Sequence, residues 1–407
     1  MIVIIAEPYI GFPDGTAPTS RVTAYARGLL ASGEQVRVIL LGPSELDPSN
    51  AVNTEVRGVY RDIPFEYTSA STLKASSLIT RRWAFFRSLV TARRRLRELA
   101  SESGVDAILL YSDSVRIASF FHSVSLELGA RYAVDLCEMP HHRLPPGRGR
   151  DDEQERYGRS FIPRFDLVIA ISRPLAEYAE RFARHDEDVI LLPVMVDCDE
   201  YRPRDPSGAA HGPVTYAGLL NEEKDGVATL MSAFAKVAPD FPDVALRLVG
   251  DSYDPVRASN VPEFRELAER LGIARRVEFS GMVPRADLPR YLAEASVLVL
   301  ARPSSQQAEA GLPSKVGEYL AAGRPVIVTR VGDIGEYLRD GESAYLVPPD
   351  DADALARKLA EVLGDPERAL RVGAAGRCVA EQRFDYRVAT APLARMLVHA
   401  RPHMGAD

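Results

Sequence analysis

The sequence predicts an α/β protein built from two Rossmann-like domains, each a parallel sheet covered by helices, with the two sheets facing a central cleft. Three observations predict it. The chain has 407 residues, too many for one ordinary core and suited to two domains of about 200 residues each. Short apolar runs alternate with amphipathic helical patterns from end to end, the rhythm of strand, helix, strand. Near the middle, residues 199–213 read DEYRPRDPSGAAHGP, and this density of proline, glycine and charge marks a linker. The expected domains are therefore 1–203 and 204–383, with 384–407 a helix and tail returning toward the first domain.

The strands of the first domain are expected at 2–6, 35–41, 107–111, 132–136, 167–171 and 189–192. Those of the second are expected at 214–217, 245–249, 277–279, 297–300, 326–329 and 344–347. Between them the apolar spacing turns helical, as in Val227, Leu230, Met231, Phe234 and Val237. Apolar residues make up 46% and charged residues 26% of the chain, the balance of a soluble globular protein. A net charge of -7 argues against nucleic-acid binding. Cys137, Cys198 and Cys378 fit no zinc or redox spacing and read as buried small hydrophobes in a reducing compartment. No apolar run approaches the roughly 18 residues of a membrane span. The opening MIVIIAEP is a strand without a basic flank rather than a signal peptide, so a cytoplasmic location is expected.

Ligands of open parallel sheets bind at the carboxyl ends of strands, beside helix N-termini. Three loops there invite an anion. After the first strand come Gly11, Pro13, Asp14 and Gly15, ahead of a helix beginning near 19–21. This is either an ordinary connection or a loop that lets a phosphate or sugar approach backbone amides. No G-x-G-x-x-G and no Walker lysine motif accompanies it. The second domain opens with TYAGLLNEEKDG, which places Lys224 past a strand ending near Gly218 and just before a helix. The third loop leads into GLPSKVGEYLAAGRPVI, residues 311–327. Pro313 and Ser314 open a helix there, and Lys315 and Glu318 share one face of it. Ser314 and the amides of Lys315 and Val316 would attract phosphate. Glu318 would repel it, and suits a ribose diol, whose two hydroxyls a carboxylate can accept. The plainer reading is a surface Lys315–Glu318 pair of a few tenths of a kcal/mol.

Taken in order, these segments resemble the retaining GT-B glycosyltransferases, specifically the family 4-like group (glycosyl transferases group 1), over nearly the whole chain. GLLNEEKDG resembles the family's phosphate loop, SGMVPRADLPRYLAEASVLVL its base-binding segment, and GLPSKVGEYLAAGRPVIVT its paired-glutamate motif. The resemblance implies that Gly218 and Lys224 hold a donor diphosphate, that Met282 or Val283 holds the base through its backbone, and that Ser314 and Lys315 flank the phosphates. It implies Glu318 on the ribose, Gly311 and Leu312 beside the sugar, Gly15 near the phosphates or acceptor, and His141 or His142 near the transferred sugar. Asp135 and Glu138 resemble an acidic pair at the first domain's cleft edge. Two positions depart from the pattern. Leu219 replaces an arginine of the phosphate loop, and Ala310 stands where the first glutamate belongs, with Glu309 one residue away.

The implied reaction is metal-independent transfer of a hexosyl group, with retention, from a nucleotide sugar to a hydroxyl of a small-molecule, glycan or lipid-linked acceptor. No separate cofactor is implied, and a UDP-sugar is favoured over a GDP-sugar. The alternatives are a nucleotide-sugar epimerase of the same fold, and a catalytically weak relative serving as a binding or assembly subunit. One segment stands apart. Residues 81–97, RRWAFFRSLVTARRRLR, hold seven arginines and no acid. With Phe85, Phe86, Leu89, Val90 and Leu96 as its apolar side, it either packs on the first domain with its arginines solvated, or contacts anionic membrane or an anionic acceptor.

Overall fold

The computed structural model describes every residue except 8–9, 50, 142–143, 145, 203–211, 252–258 and 399–407. His142 and most of the expected linker lie outside the described residues. The chain divides into two compact units. The first comprises Met1–Met195 together with the chain's end from Tyr386, and the second comprises Val196–Asp385. The first crossing thus precedes the proline-rich stretch. Cys198 and Tyr201, buried at 2% exposure each, already belong to the second unit.

In the first unit the strands are β1 (Ile2–Ala6), β2 (Val36–Leu40), β3 (Arg57–Tyr60), β4 (Ile63–Tyr67), β5 (Ala107–Tyr111), β6 (Arg131–Leu136), β7 (Leu167–Ala170) and β8 (Val189–Leu191). They form one sheet in the order β3-β4-β2-β1-β5-β6-β7-β8. All its pairings are parallel except β3 with β4. Every residue of β1, β6 and β7 is buried, as it must be in a parallel sheet with helices on both faces. The hairpin β3–β4 has no counterpart among the expected strands. Its two-residue turn is Arg61–Asp62, with φ of 48° and 66°, the type I′ geometry that matches strand twist. Neither residue is the usual glycine or asparagine.

The helix Ala17–Ala31 covers β1 and β2, burying Val22, Tyr25, Ala26 and Leu29. On its other side lies the last helix, Tyr386–Val398. Gly28 is the contact point: a β-carbon there would lie 2.0 Å from Thr390 Oγ1. Leu393, Ala394 and Leu397 of that helix join the core formed by β1, β2 and β5, so the chain's end completes the first unit.

The second unit has β9 (Val214–Ala217), β10 (Leu246–Val249), β11 (Val277–Gly281), β12 (Val297–Leu300), β13 (Val326–Thr329) and β14 (Tyr345–Val347). Their order is β11-β10-β9-β12-β13-β14, parallel throughout. From β9 the chain adds strands first on one side and then on the other. The topological switch point therefore falls between β9 and β12, where open α/β sheets place their ligands. Among the described residues, no helix is long and apolar enough to cross a membrane. The cysteines are free, but only Cys198 is buried. Cys137 is half-buried and Cys378 exposed, which corrects the expectation that all three are core residues.

Candidate functional site

At the switch point the two strands part. β9 and β12 pair only at Val214–Val297 and Thr215–Leu298. Beyond that, the backbone of Ala217 is satisfied by a side chain: Ala217 N–H donates to Tyr319 Oη at 2.7 Å, and that hydroxyl donates to Ala217 O at 3.1 Å. Tyr319 belongs to the helix Ser314–Ala321 and is fully buried. It pins the first turns of this helix to the opened strand end, and so fixes where Lys315 and Glu318 can reach.

The floor of the opening is glycine. Gly218 follows β9, Gly250 follows β10 and Gly281 ends β11. Gly218 N–H donates to Val249 O at 2.9 Å, and Gly250 N–H to Gly281 O at 2.8 Å. A β-carbon on Gly250 would lie 2.0 Å from Gly218 O, and one on Gly218 would lie 2.0 Å from Lys315 Cε. Side chains are thus excluded at Gly218 and Gly250, and Lys315 lies directly over Gly218. Met282 and Val283 follow Gly281; the Met282 side chain is exposed.

Lys315 and Glu318 do not pair with each other. Lys315 Nζ donates to Asp225 Oδ2 at 3.1 Å, with the lysine side chain 18% and the aspartate 1% exposed. Tyr216 Oη donates to the same oxygen at 2.9 Å. Burial pushes the Tyr216 phenol well up, and the Asp225 charge adds to this. Glu318 faces the other way. Arg285 stands 3.8 Å from its carboxylate, and the buried Tyr201 hydroxyl hydrogen-bonds to it. The carboxylate is therefore oriented by two groups distant in sequence. The amide of Val316, expected to await an anion, donates to Pro313 O at 3.0 Å, because the helix opens with a tight turn. That leaves Ser314 and Lys315 as the amide donors of the helix start.

Lys224 lies on the one-turn helix Glu222–Asp225, capped by Asn221 Oδ1, which accepts Lys224 N–H at 2.9 Å. A cation that the sequence reading missed supports this loop. Arg302 follows β12, is 4% exposed, and donates from Nε to the Lys224 carbonyl at 3.3 Å. Gly226 lets the loop close on the same strand end, where a β-carbon would be 1.9 Å from Ala301 O. Leu219, which stands where the family resemblance implies an arginine, thus follows the glycine under Lys315 and lies in the loop that carries Lys224 and that Arg302 supports. The sequence signal for Arg302 is its position: a charged residue two places past the end of a fully apolar strand.

Glu309, on the short helix Gln306–Ala310, accepts a hydrogen bond from Gly332 N–H at 2.9 Å. One of its oxygens is committed to holding the loop after β13. Ala310 and Leu312 are buried and Gly311 is partly exposed, so Gly311 and Leu312 offer backbone to this region.

The first unit holds the remaining predicted residues. Gly15 packs inside its own loop: a β-carbon would lie 2.2 Å from Thr19 Oγ1, and that hydroxyl donates to Gly11 O at 2.6 Å. His141 is exposed at φ 54°, its ring edge-on to Tyr157 at 5.8 Å. Asp135 is no ligand group. Its side chain is fully buried and accepts from Arg21 Nε and Nη2 at 2.6 and 2.9 Å, from Tyr25 Oη at 2.8 Å and from Cys137 Sγ at 2.9 Å. Glu138 is exposed. A different acid marks this unit's switch point, between β1 and β5. Glu7 is nearly buried and takes a hydrogen bond from Ser112. Burial raises its carboxyl above the ordinary range.

Residues 213–365 match the family model described as Glycosyl transferases group 1. Among curated proteins, the chain is 30% identical over 217 residues to the GDP-mannose-dependent alpha-(1-6)-phosphatidylinositol monomannoside mannosyltransferase of Mycolicibacterium smegmatis. That match covers 51% of this chain and 55% of the relative. It is 29% identical over 272 residues to the D-inositol 3-phosphate glycosyltransferase of Streptomyces scabiei, covering 62% and 60%. The chain thus spans little more than half the length of the curated relatives it matches. Solved structures align over nearly all of it. Sucrose-phosphate synthase from Thermosynechococcus elongatus superposes with a TM-score of 0.73 at 20% identity, covering 97% of both chains. Anabaena HepE, crystallised with UDP, superposes with a TM-score of 0.69 at 19% identity, covering 98% and 99%. The sequence resemblance and the fold agree: residues 213–365, within the second unit, match the glycosyl transferases group 1, and the chain has the GT-B fold of its structural neighbours.

Proposed function

We propose that the protein is a retaining glycosyltransferase that moves a hexosyl group from a nucleotide sugar to an acceptor hydroxyl without a metal. One observation carries the reading. The switch point of the second unit is floored by three glycines and ringed by Lys224, Lys315 and Arg302, with Glu318 held apart from those cations by Arg285 and Tyr201. Such a site separates two tasks. The cations and the Ser314 and Lys315 amides take a diphosphate, while an oriented carboxylate takes the vicinal hydroxyls of a ribose. The backbone at Gly281–Val283 takes the base. The charge that grows on the departing diphosphate is stabilised by groups already in place, each such donor contributing about 3 kcal/mol. That phosphate then accepts the proton of the acceptor hydroxyl on the same face. A UDP-sugar is the favoured donor, in keeping with HepE structures holding UDP and UDP-glucose. A GDP-sugar is the competitor, in keeping with the mannosyltransferase relative. Relatives named for phosphatidylinositol mannoside and inositol phosphate support a polyol or lipid-linked acceptor.

The test is transfer from a panel of nucleotide sugars, with the anomeric configuration of the product read by NMR. Lys224→Ala is expected to lower turnover by about a hundredfold, and Glu318→Ala to weaken donor binding and turnover together. If both variants transfer sugar at the parental rate, the site is misassigned. A second reading, a binding or assembly subunit with little catalysis, draws on Leu219 in place of an arginine and on Glu309 committed to Gly332. Calorimetry showing no nucleotide-sugar binding would favour it. Product formed without any acceptor would instead favour an epimerase.

A further inference from the structure

The helix Leu78–Ser103 has two unlike faces. Ser88, Ala92, Leu96 and Leu99 are buried against the first unit. Facing away from them, Ile79, Trp83, Phe86 and Val90 are exposed by 72%, 66%, 58% and 51%. At about 100° per residue, these four fall within roughly 60° of arc. Trp83 and Phe86 meet edge to face at 6.4 Å, a contact that covers neither. Leu78, at the helix start, is 73% exposed. A contiguous apolar stripe of this kind marks an interaction surface.

The arginines of the helix sort by position. In the distal half, Arg93 and Arg97 are held by Glu127, Arg95 by Glu66 and Glu98, and Arg94 lies 3.6 Å from Glu98. In the proximal half, Arg81, Arg82 and Arg87 have no acidic partner among the described residues; Arg81 donates to Ala75 O. Arg82 and Arg87 flank the apolar stripe at about 40° on either side. No aspartate or glutamate occurs between Glu66 and Glu98, in a chain of net charge -7.

We propose that the first three turns of this helix dock on an anionic lipid surface, independently of how the nucleotide site is read. Trp83 and Phe86 enter the boundary between headgroups and acyl chains, and Arg82 and Arg87 reach back to lipid phosphates. Charge selects this occupant over a second copy of the chain. Two such stripes face to face would bring the Arg82 and Arg87 of both copies together, four arginines without an acidic partner among the described residues to offset them.

Trp83 is the sole tryptophan, so its emission reports the patch directly. The full chain is titrated with vesicles of phosphatidylcholine alone and of phosphatidylcholine mixed with phosphatidylglycerol. The expected result is a blue shift with the mixed vesicles alone, lost at high salt. Arg82→Gln with Arg87→Gln is expected to weaken partitioning about 25-fold, at about fivefold per arginine, with an unchanged unfolding midpoint because both side chains are solvent-exposed. Co-sedimentation of Trp83→Phe, free of fluorescence, checks the same binding. No shift, an equal shift with neutral vesicles, or a shift insensitive to salt overturns the proposal. So does a shift that appears without lipid as protein concentration rises, which would make the occupant a second copy.

Discussion

Replacing Lys315 with methionine separates the two things this lysine does. In the structure it neutralises Asp225, which is 1% exposed and keeps one oxygen, Oδ1, without any partner among the described residues. Methionine preserves most of the stem over Gly218 but removes the charge. Breaking a buried pair by deleting one partner costs about 3–5 kcal/mol, because the other charge is left uncompensated. The lower end applies here, since the lysine is 18% exposed and Tyr216 still donates to the carboxylate. For a unit of this size, about 3 kcal/mol lowers the melting temperature by roughly 6–12 °C. The double variant Lys315→Met, Asp225→Asn removes the stranded charge, and is expected to recover most of that loss. It is not expected to recover affinity for a nucleoside diphosphate, because the cation over the glycine floor is still missing. Thermal melts followed by circular dichroism, with calorimetric titration of UDP and GDP, measure both quantities. A single variant melting within about 1 °C of the parent would show that the pair contributes little. A double variant that bound nucleotide as well as the parent would show that Lys315 is structural only.

Two further outcomes test the first unit. Gly28→Ala drives a β-carbon to 2.0 Å from Thr390 Oγ1 and is expected to destabilise that unit by about 2 kcal/mol. Adding Thr390→Ala recovers only part in urea unfolding, because the Thr390 Cβ remains at 2.8 Å. Burial raises the Glu7 carboxyl above the ordinary 4.5, so the folded state holds its proton more tightly than the unfolded chain. The associated stability is complete below that value and is lost as pH rises through the raised one. Glu7→Gln is therefore expected to have a higher urea midpoint than the parent at pH 7, with the gap closing by pH 4.5. A gap constant with pH would exclude ionisation as its cause.

Most of the strands that sequence reading located are buried on both faces, such as IVIIA and VLVL, where nothing but apolar residues fits. The hairpin β3–β4 escaped because RGVY and IPFEY are half-polar, one containing a proline, and because Arg61–Asp62 makes a left-handed turn without its usual residues. The site divides in the same way. Lys315 and Glu318 were legible because helix pitch puts both on one face beside a strand end. Their partners were not. Asp225 precedes Lys315 by 90 positions, and only tertiary packing brings Tyr201 and Arg285 to Glu318. Helix pitch states what shares a face, and is silent on what that face meets. For the same reason Asp135, read as one of an acidic pair at the cleft edge, proved to be the buried counter-charge of Arg21.

The second unit begins and ends at one place. Val196 N–H donates to Phe384 O at 2.8 Å, and Val196 bridges to Asp385 in parallel, so the chain enters and leaves through adjoining segments. Residues 196–385 are therefore wired as a cassette spliced into a host whose own fold resumes at Tyr386. A cassette with joined ends can be exchanged between hosts by recombination at two neighbouring points without rethreading either sheet. In this arrangement, the two units are separately heritable.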